Sequence, residues 1–558
     1  YRVGALDARS LAGAFSGERL GEPRSICEAI GKPSCNLEET VRQSHLILSN
    51  AAIMWAMQIL QLAPQLILVP YLIGSLGESG YGIYALVWPL MTSIEQLQTS
   101  LQQGVVKYSA GFLSQGRVDD VNKVVGSSLV YSLLLGAVAS AGVLTAAAAY
   151  RDPSGQIGPA LAIIGVMLLF VFPLTPYVAV IQSKQCFYIG ALADTVAKYG
   201  GLFLVMAWFH GFQPSVRASI AIMAGMLLCS RLVQLPMAYR LVPGLRSRFS
   251  LFDWKMFRLI AFFGAATVFA SACVVMNFTG SRWVMNALVS PRFVAHLSII
   301  LMPVLLLWQT IAAVTTIVMP ATSAYEASGN THMLRELLIC GMRYVMIVTL
   351  AGLFAASLLM QDILSIWVGK EYRFLAPYSI ALLASAAFML STFTCQHMLK
   401  GLGKLRTVAI IYLWGFVLAP FSLLIALSLA GVDPYIAVTA GLAAGHITYG
   451  LLQVNAGAKA VRVNAREIWR RAYGQPLAIA AGVAAATFGV AVVGSSIRAL
   501  NGEAGRMLLA FASVSAFLYG CYWLIATPRE RQQFHGAMRL LLAKFRAVLG
   551  KRTTIGTP

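Results

Sequence analysis

Charge is scarce in this sequence, and negative charge scarcest: 11% of its 558 residues are charged, with 42 Lys and Arg against 21 Asp and Glu. An ordinary soluble domain carries roughly 25%, so a soluble enzyme is excluded. No Walker A loop is present, which argues against direct drive by ATP, and neither a GxSxG elbow nor an HExxH helix occurs. Cysteines are few, at 27, 35, 186, 229, 273, 340, 395 and 521, and five of the last six lie in apolar stretches. Cys27 and Cys35 have no histidine cluster near them, so neither a disulfide framework nor a zinc site is supported. His296, His397 and His446 lack metal spacing and read as polar contacts.

What the chain has instead is apolar sequence, 58% hydrophobic with a mean hydropathy of +0.73. Segments of about 20 apolar residues, the length a bilayer core requires, fall near 46–73, 82–106, 122–149, 158–182, 188–210, 216–239, 257–279, 294–319, 337–360, 375–398, 406–430, 434–456, 476–497 and 505–526. They predict an all-α integral membrane protein of about 14 transmembrane helices, two pseudo-repeated six-helix lobes plus a terminal helix pair. The lobes span 46–239 and 257–456, and the pair 476–526. Basic segments separate them: a linker at 240–256, a loop at 457–475 and a cytoplasmic tail at 527–558. A loose N-terminal arm at 1–45 precedes the first helix and shows no apolar core of the signal-peptide kind.

A formal net charge of +21 first suggests nucleic acid, but the cations fall between apolar runs rather than on one folded face. With the N-terminus inside, segments assigned to the inside hold 31 of the 42 Lys and Arg, and those assigned to the outside hold 8. That asymmetry predicts both termini in the cytoplasm and turns the surplus charge into a topology marker in contact with anionic lipid. Within the linker, "SLFDWKMFR" brings Phe252, Trp254 and Phe257 together at the membrane interface.

The halves also share a pattern. "YSAGFLSQGRVDDVNKV" (108–124) and "ATSAYEASGNTHMLREL" (321–337) align so that Gly116 meets Gly329, each leading into the next helix. Internal repeats are frequent in secondary transporters, whose sites form between the repeats.

Polar groups inside the spans are the candidate site. In the first helix Asn50, Met54, Gln58, Gln61 and Gln65 share a face. In the second, Thr92, Glu95, Gln96, Thr99, Gln102 and Gln103 form a stripe with Lys107 beyond it. Such stripes either glue a bundle or line an aqueous cavity, because unpaired polar groups in lipid are costly. Glu95 reads as a cavity contact, a structural ion pair or a helix-end residue. Asp194 and Lys198, four apart, can pair locally or present Lys198 to an anion. Arg231 needs a partner on another helix or an anionic ligand. Arg282, expected at a helix end, either snorkels to headgroups or binds a pyrophosphate.

"LGESGYGIYAL" (76–86), "GVVKYSAGFLSQGR" (104–117), "MPATSAYEASGN" (319–330) and "KGLGKLR" (400–406) together resemble the polysaccharide flippase branch of the multidrug/oligosaccharidyl-lipid/polysaccharide exporter superfamily, over about residues 45–526. The resemblance implies a flippase in the bacterial inner membrane. Such a protein moves undecaprenyl-pyrophosphate-linked repeat units to the outer leaflet by alternating access, for O-antigen, capsule or exopolysaccharide synthesis. It implies a lipid-linked oligosaccharide substrate, polysaccharide polymerase and assembly proteins as partners, a monomeric transport unit, no cofactor and no catalytic residue, with proton or sodium coupling left open. The candidate contacts are Gln58, Gln61, Glu95, Gln96, Lys107, Asp194, Lys198, Arg231 and Arg282. Two other readings stay open: a cation-coupled multidrug or small-molecule antiporter of the same superfamily, using Glu95 and Asp194, and a non-transport membrane scaffold.

Overall fold

The computed structural model describes residues 37–113, 115–150, 154–315, 318–327, 329–494 and 503–525, with Arg531. Most of the expected arm and tail lies outside the described residues. Each regular element described is a helix, the solution a bilayer imposes because backbone N–H and C=O groups must be satisfied within their own segment.

The helical stretch Leu37–Leu113 breaks at Gly77 (φ 73°, ψ 172°) into α1 (37–76) and α2 (78–113). The helices that follow are α3 (Val118–Ala149), α4 (Ile157–Ser183), α5 (Phe187–Gly211) and α6 (Val216–Leu241). Next, α7 runs from Trp254–Val275 through a π-turn at Met276–Gly280 into Ser281–Leu288. After it stand α8 (Pro291–Thr315), α9 (Val318–Ala327), α10 (Thr331–Trp367), α11 (Lys370–Gly401), α12 (Leu405–Leu429), α13 (Pro434–Val461), α14 (Ala465–Val490) and α15 (Glu503–Leu524). Twelve helices among the described residues are long and apolar enough to cross a membrane. The chain is an all-α, multi-pass membrane protein.

The helices form a pseudo-two-lobe arrangement, with α1–α6 called the first lobe and α7–α13 the second, joined where α1 and α2 pack on α7 and α8, while α14 and α15 lean on α10. There Arg506 grips Asp362 through two hydrogen bonds of 2.7 and 2.8 Å, and Arg471 grips Glu336 at 2.9 and 3.0 Å. The repeat is visible in the turns. Gly116 and Gly329 both have positive φ, 70° and 66°. Around Gly116 the bonds are Gly116 N to Leu113 O, Arg117 N to Phe112 O and Val118 N to Gly116 O; around Gly329 they are Gly329 N to Glu326 O, Asn330 N to Tyr325 O and Thr331 N to Gly329 O. A second pair matches in the same way: Gln185 between α4 and α5, and Gly403 between α11 and α12, both left-handed.

Several spans differ from the sequence expectation: α1 begins at 37 rather than 46 and α14 at 465 rather than 476. Helix seven continues past 279 to Leu288, because the π-turn absorbs an extra residue without ending the helix. Helix nine, expected at 337–360, is α10 and runs over 37 residues with Asn330 Oδ1 capping Met333 N at 3.1 Å. At about 1.5 Å per residue it exceeds the roughly 30 Å of hydrocarbon, so its ends project beyond it. In the linker Asp253 caps α7, and Trp254 stacks on Phe257 at 5.1 Å while remaining 64% exposed.

Gly77 holds a conformation that is open almost only to glycine. Gly77→Ala is expected to destabilise the fold by about 1–3 kcal/mol through backbone strain, although a Cβ there meets no neighbouring atom. A melting temperature equal to wild type would contradict this.

Candidate functional site

The site grows from the hairpin at Gly77. α1 and α2 double back there, so Gln61 on one arm and Glu95 on the other both reach α5 and α6. Arg231 of α6 lies between two carboxylates, with Nη1 to Asp194 Oδ1 and Nη2 to Glu95 Oε1, both at 3.2 Å. Ser230 Oγ donates to Asp194 Oδ1 at 2.6 Å and accepts from Gln234 Nε2 at 3.2 Å. Lys198 Nζ donates to Gln61 Oε1 at 2.8 Å, and Gln61 Nε2 donates to Thr195 Oγ1 at 3.0 Å and to the Ala191 carbonyl at 3.2 Å. Lys198 is also close enough for its charge to interact with Asp194 and Glu95.

Two cations and two carboxylates thus meet on α2, α5 and α6, and their formal charges cancel. The side chains of Arg231, Glu95 and Asp194 retain 17%, 18% and 29% of their surface. The network is tucked into the lobe yet is not sealed.

Five of the nine residues expected from the sequence come together here: Gln61, Glu95, Asp194, Lys198 and Arg231. Arg231 finds its partners on other helices, and Asp194 pairs with it in addition to lying a turn from Lys198. Gln58 instead crosses between the lobes, its Nε2 donating to Gln309 Oε1 at 2.9 Å. Lys107 is exposed and lies against the Tyr108 ring, 5.5 Å from its centroid. Twelve residues beyond Glu95 on the same helix, it stands about 18 Å along the axis. The side chain of Gln96 lies outside the described residues.

Arg282 lies within α7 rather than beyond its end, 5% exposed, with Nε donating to Ser298 Oγ at 3.1 Å. The four helix-embedded or helix-end cations therefore do not form one cationic basin. Lys198 and Arg231 are engaged with the protein, and Lys107 and Arg282 lie elsewhere. A small recess between α2, α3, α4 and α7, lined by Gln102, Ser128, Ser132 and Thr175 among others, has no charged side chain in its wall.

The lobes meet at the Gly77 end. Glu78 forms an ion pair with Arg292 and lies 3.4 Å from His296 Nε2 of α8, and His296 Nδ1 lies 2.5 Å from Tyr435 OH on α13. A Cβ at Gly82 would overlap the Pro291 carbonyl, so α2 and α8 approach as only glycine permits. Trp367 Nε1 donates to the Leu66 carbonyl at 2.8 Å, and Asn286 Nδ2 to Tyr150 OH at 2.7 Å. Sequence reasoning did not assemble this cluster, because its members lie on separate helices with no shared spacing. Ser230 and Gln234 were missed for a plainer reason: a serine and an amide in an apolar helix gave no signal until Asp194 stood opposite.

No protein-family model and no curated protein matches the sequence. The fold is similar to solved transporters. One is a multidrug resistance MATE family transporter of the MOP superfamily in an inward-facing conformation, at TM-score 0.61 and 14% identity, covering 74% of this chain and 98% of that one. An outward-facing conformation of such a transporter gives TM-score 0.58 at 13% identity, covering 75% and 95%. A MOP superfamily transporter from Pyrococcus furiosus, described as having a binding pocket of reverse polarity, gives 0.57 at 13% identity, covering 74% and 95%.

The fold is therefore similar to that of solved MATE-type transporters. These likenesses overturn the resemblance to the polysaccharide flippase branch, and with it the assignment to O-antigen, capsule or exopolysaccharide synthesis. Lipid-linked oligosaccharide as substrate and polysaccharide polymerase or assembly proteins as partners fall with it. The glycines in "LGESGYGIYAL" that carried much of the resemblance answer to backbone geometry instead: Gly77 makes the hairpin and Gly82 the close approach. The cations expected to hold a pyrophosphate are divided between a neutral network and separate places.

Proposed function

We propose that this protein is a cation-coupled antiporter that exports small organic molecules by alternating access between its two lobes. The observation that carries the reading is the Glu95–Arg231–Asp194 arrangement. Two partly accessible carboxylates that share one guanidinium are groups that a proton or sodium ion can compete for. When such an ion takes a carboxylate, Arg231 loses part of its hold on α2. That helix also carries the contacts to the other lobe, Ser93 Oγ to Thr279 Oγ1 at 2.8 Å and Glu78 to α8. Ion binding is thereby connected to the way the lobes meet.

We read the chain as fourteen spans with both termini cytoplasmic, in a bacterial cytoplasmic membrane. Separating the two arms at Gly77 and including α7 raises twelve long apolar helices to that number, and the Lys and Arg bias supports the orientation. On this reading the joined Gly77 end faces outward, α14 and α15 are the terminal pair, and the 240–256 linker is cytoplasmic.

The test is flux in proteoliposomes of the full chain under an imposed proton or sodium gradient, with ethidium and an anionic dye as probes. Gradient-driven ethidium movement is expected in wild type and is expected to fall at least about tenfold in the Glu95→Gln/Asp194→Asn double variant, the size general acid–base or charge-coupling groups ordinarily carry. Flux without gradient dependence, or a fully active double variant at equal protein level, overturns the proposal.

A further inference from the structure

The seam between the lobes holds a second polar site, separate from the Arg231 network. On α7 the π-turn at Met276–Gly280 reorients the following turns so that Thr279, Arg282 and Asn286 look across at the first lobe. Thr279 meets Ser93, and Asn286 meets Tyr150. Between them Arg282 is 95% removed from solvent. Its Nε is used by Ser298, whose own hydroxyl donates to the Val294 carbonyl at 2.8 Å. Neither terminal nitrogen of Arg282 has a partner among the described residues, and no carboxylate among them pairs with it. The neighbour on which its charge acts is the phenol of Tyr81, on α2, itself 5% exposed. The same stretch of α7 has unsatisfied buried atoms, Asn277 Oδ1, Trp283 Nε1 and Asn286 Oδ1.

An uncompensated guanidinium is among the least favourable groups to bury in a membrane protein, and a water can satisfy its N–H donors but not its charge. Arginine, moreover, does not escape by losing its proton. π-turns of this kind recur at ligand sites. We propose that Arg282, with Ser298 beside it, binds one monovalent anion, a halide or a carboxylate, at the seam between the lobes. A single cation in a close-packed seam matches one negative charge; a phosphate dianion would leave a charge in excess. Because the site lies where Thr279 and Asn286 join α7 to the first lobe, its occupancy and closure of that seam are linked. This inference does not depend on the antiport reading.

The experiment is thermal melting of the detergent-purified full chain while chloride, bromide or acetate replaces the bulkier isethionate at constant ionic strength. A saturable rise of a few degrees is expected in wild type, as for any ligand that binds only the folded form. Halides acting with acetate identify a general small-anion site, and acetate acting alone identifies the carboxylate of an organic ligand. Arg282→Gln is expected to abolish the dependence and to melt higher than wild type in isethionate, because the buried charge is gone. Arg282→Lys keeps the charge without the fork, and should retain the dependence with a half-saturating concentration about tenfold higher. Equal anion dependence in wild type and Arg282→Gln, or none in wild type, overturns the site. If Arg282→Gln does not fold, an unshifted midpoint in Arg282→Lys does the same.

Discussion

Replacing Arg231 by methionine is expected to destabilise the folded protein by about 3–5 kcal/mol, the usual result of removing one member of a buried ion network. Glu95 and Asp194 each lose a contact of 3.2 Å, and Lys198, which donates to Gln61, is left as the nearest positive charge. Carboxylates held inside a lobe with less than a third of their surface free cannot recover full hydration. The decisive measurement is a mutant cycle. Adding Glu95→Gln and Asp194→Asn to Arg231→Met should restore most of the lost stability, because the penalty comes from stranded charge rather than from lost packing. If the triple variant is as unstable as Arg231→Met alone, the network is not the source of the effect.

Gly82→Leu should act on the equilibrium between lobe arrangements rather than on the pocket. A Cβ at that position already collides with the Pro291 carbonyl, a backbone atom that cannot rotate away. Overpacking of this kind costs roughly 1–3 kcal/mol or more, which displaces a two-state equilibrium about 5–150-fold. The joined Gly77 end is then disfavoured. Thiol-accessibility labelling of a cysteine placed at Tyr81 should rise, and transport should fall because the cycle cannot return through this arrangement. Unchanged labelling with full transport would show that α2 and α8 separate without passing through the contact seen here. Gly74→Leu is a useful control, since a Cβ there meets no neighbouring atom.

Much of the architecture was legible in the residues. Apolar runs of bilayer length, the spacing of basic loops and the register of Gly116 with Gly329 all express local rules, and the two glycine turns proved to share one hydrogen-bond pattern. Gln61, Glu95, Asp194, Lys198 and Arg231 stood out because a charge or amide in a lipid-length helix is expensive wherever its partner lies. The family branch was not legible: short glycine-rich motifs report turns and close helix contacts, which transporters of different substrates share.

What composition and periodicity determined by themselves is the class of the protein, a bundle of apolar helices with two related halves, because helix formation in lipid depends on each segment alone. Which polar groups meet was decided only by tertiary structure. The hairpin at Gly77 carries Glu95 back to Arg231, and α7 continues through its π-turn so that Arg282 lies buried within the helix rather than at its end. Pairing of charges across helices separated by more than a hundred residues leaves no period in the sequence. It is fixed by how the helices pack, and the packing settles whether a lone cation is neutralised, as Arg231 is, or left for a ligand, as Arg282 is.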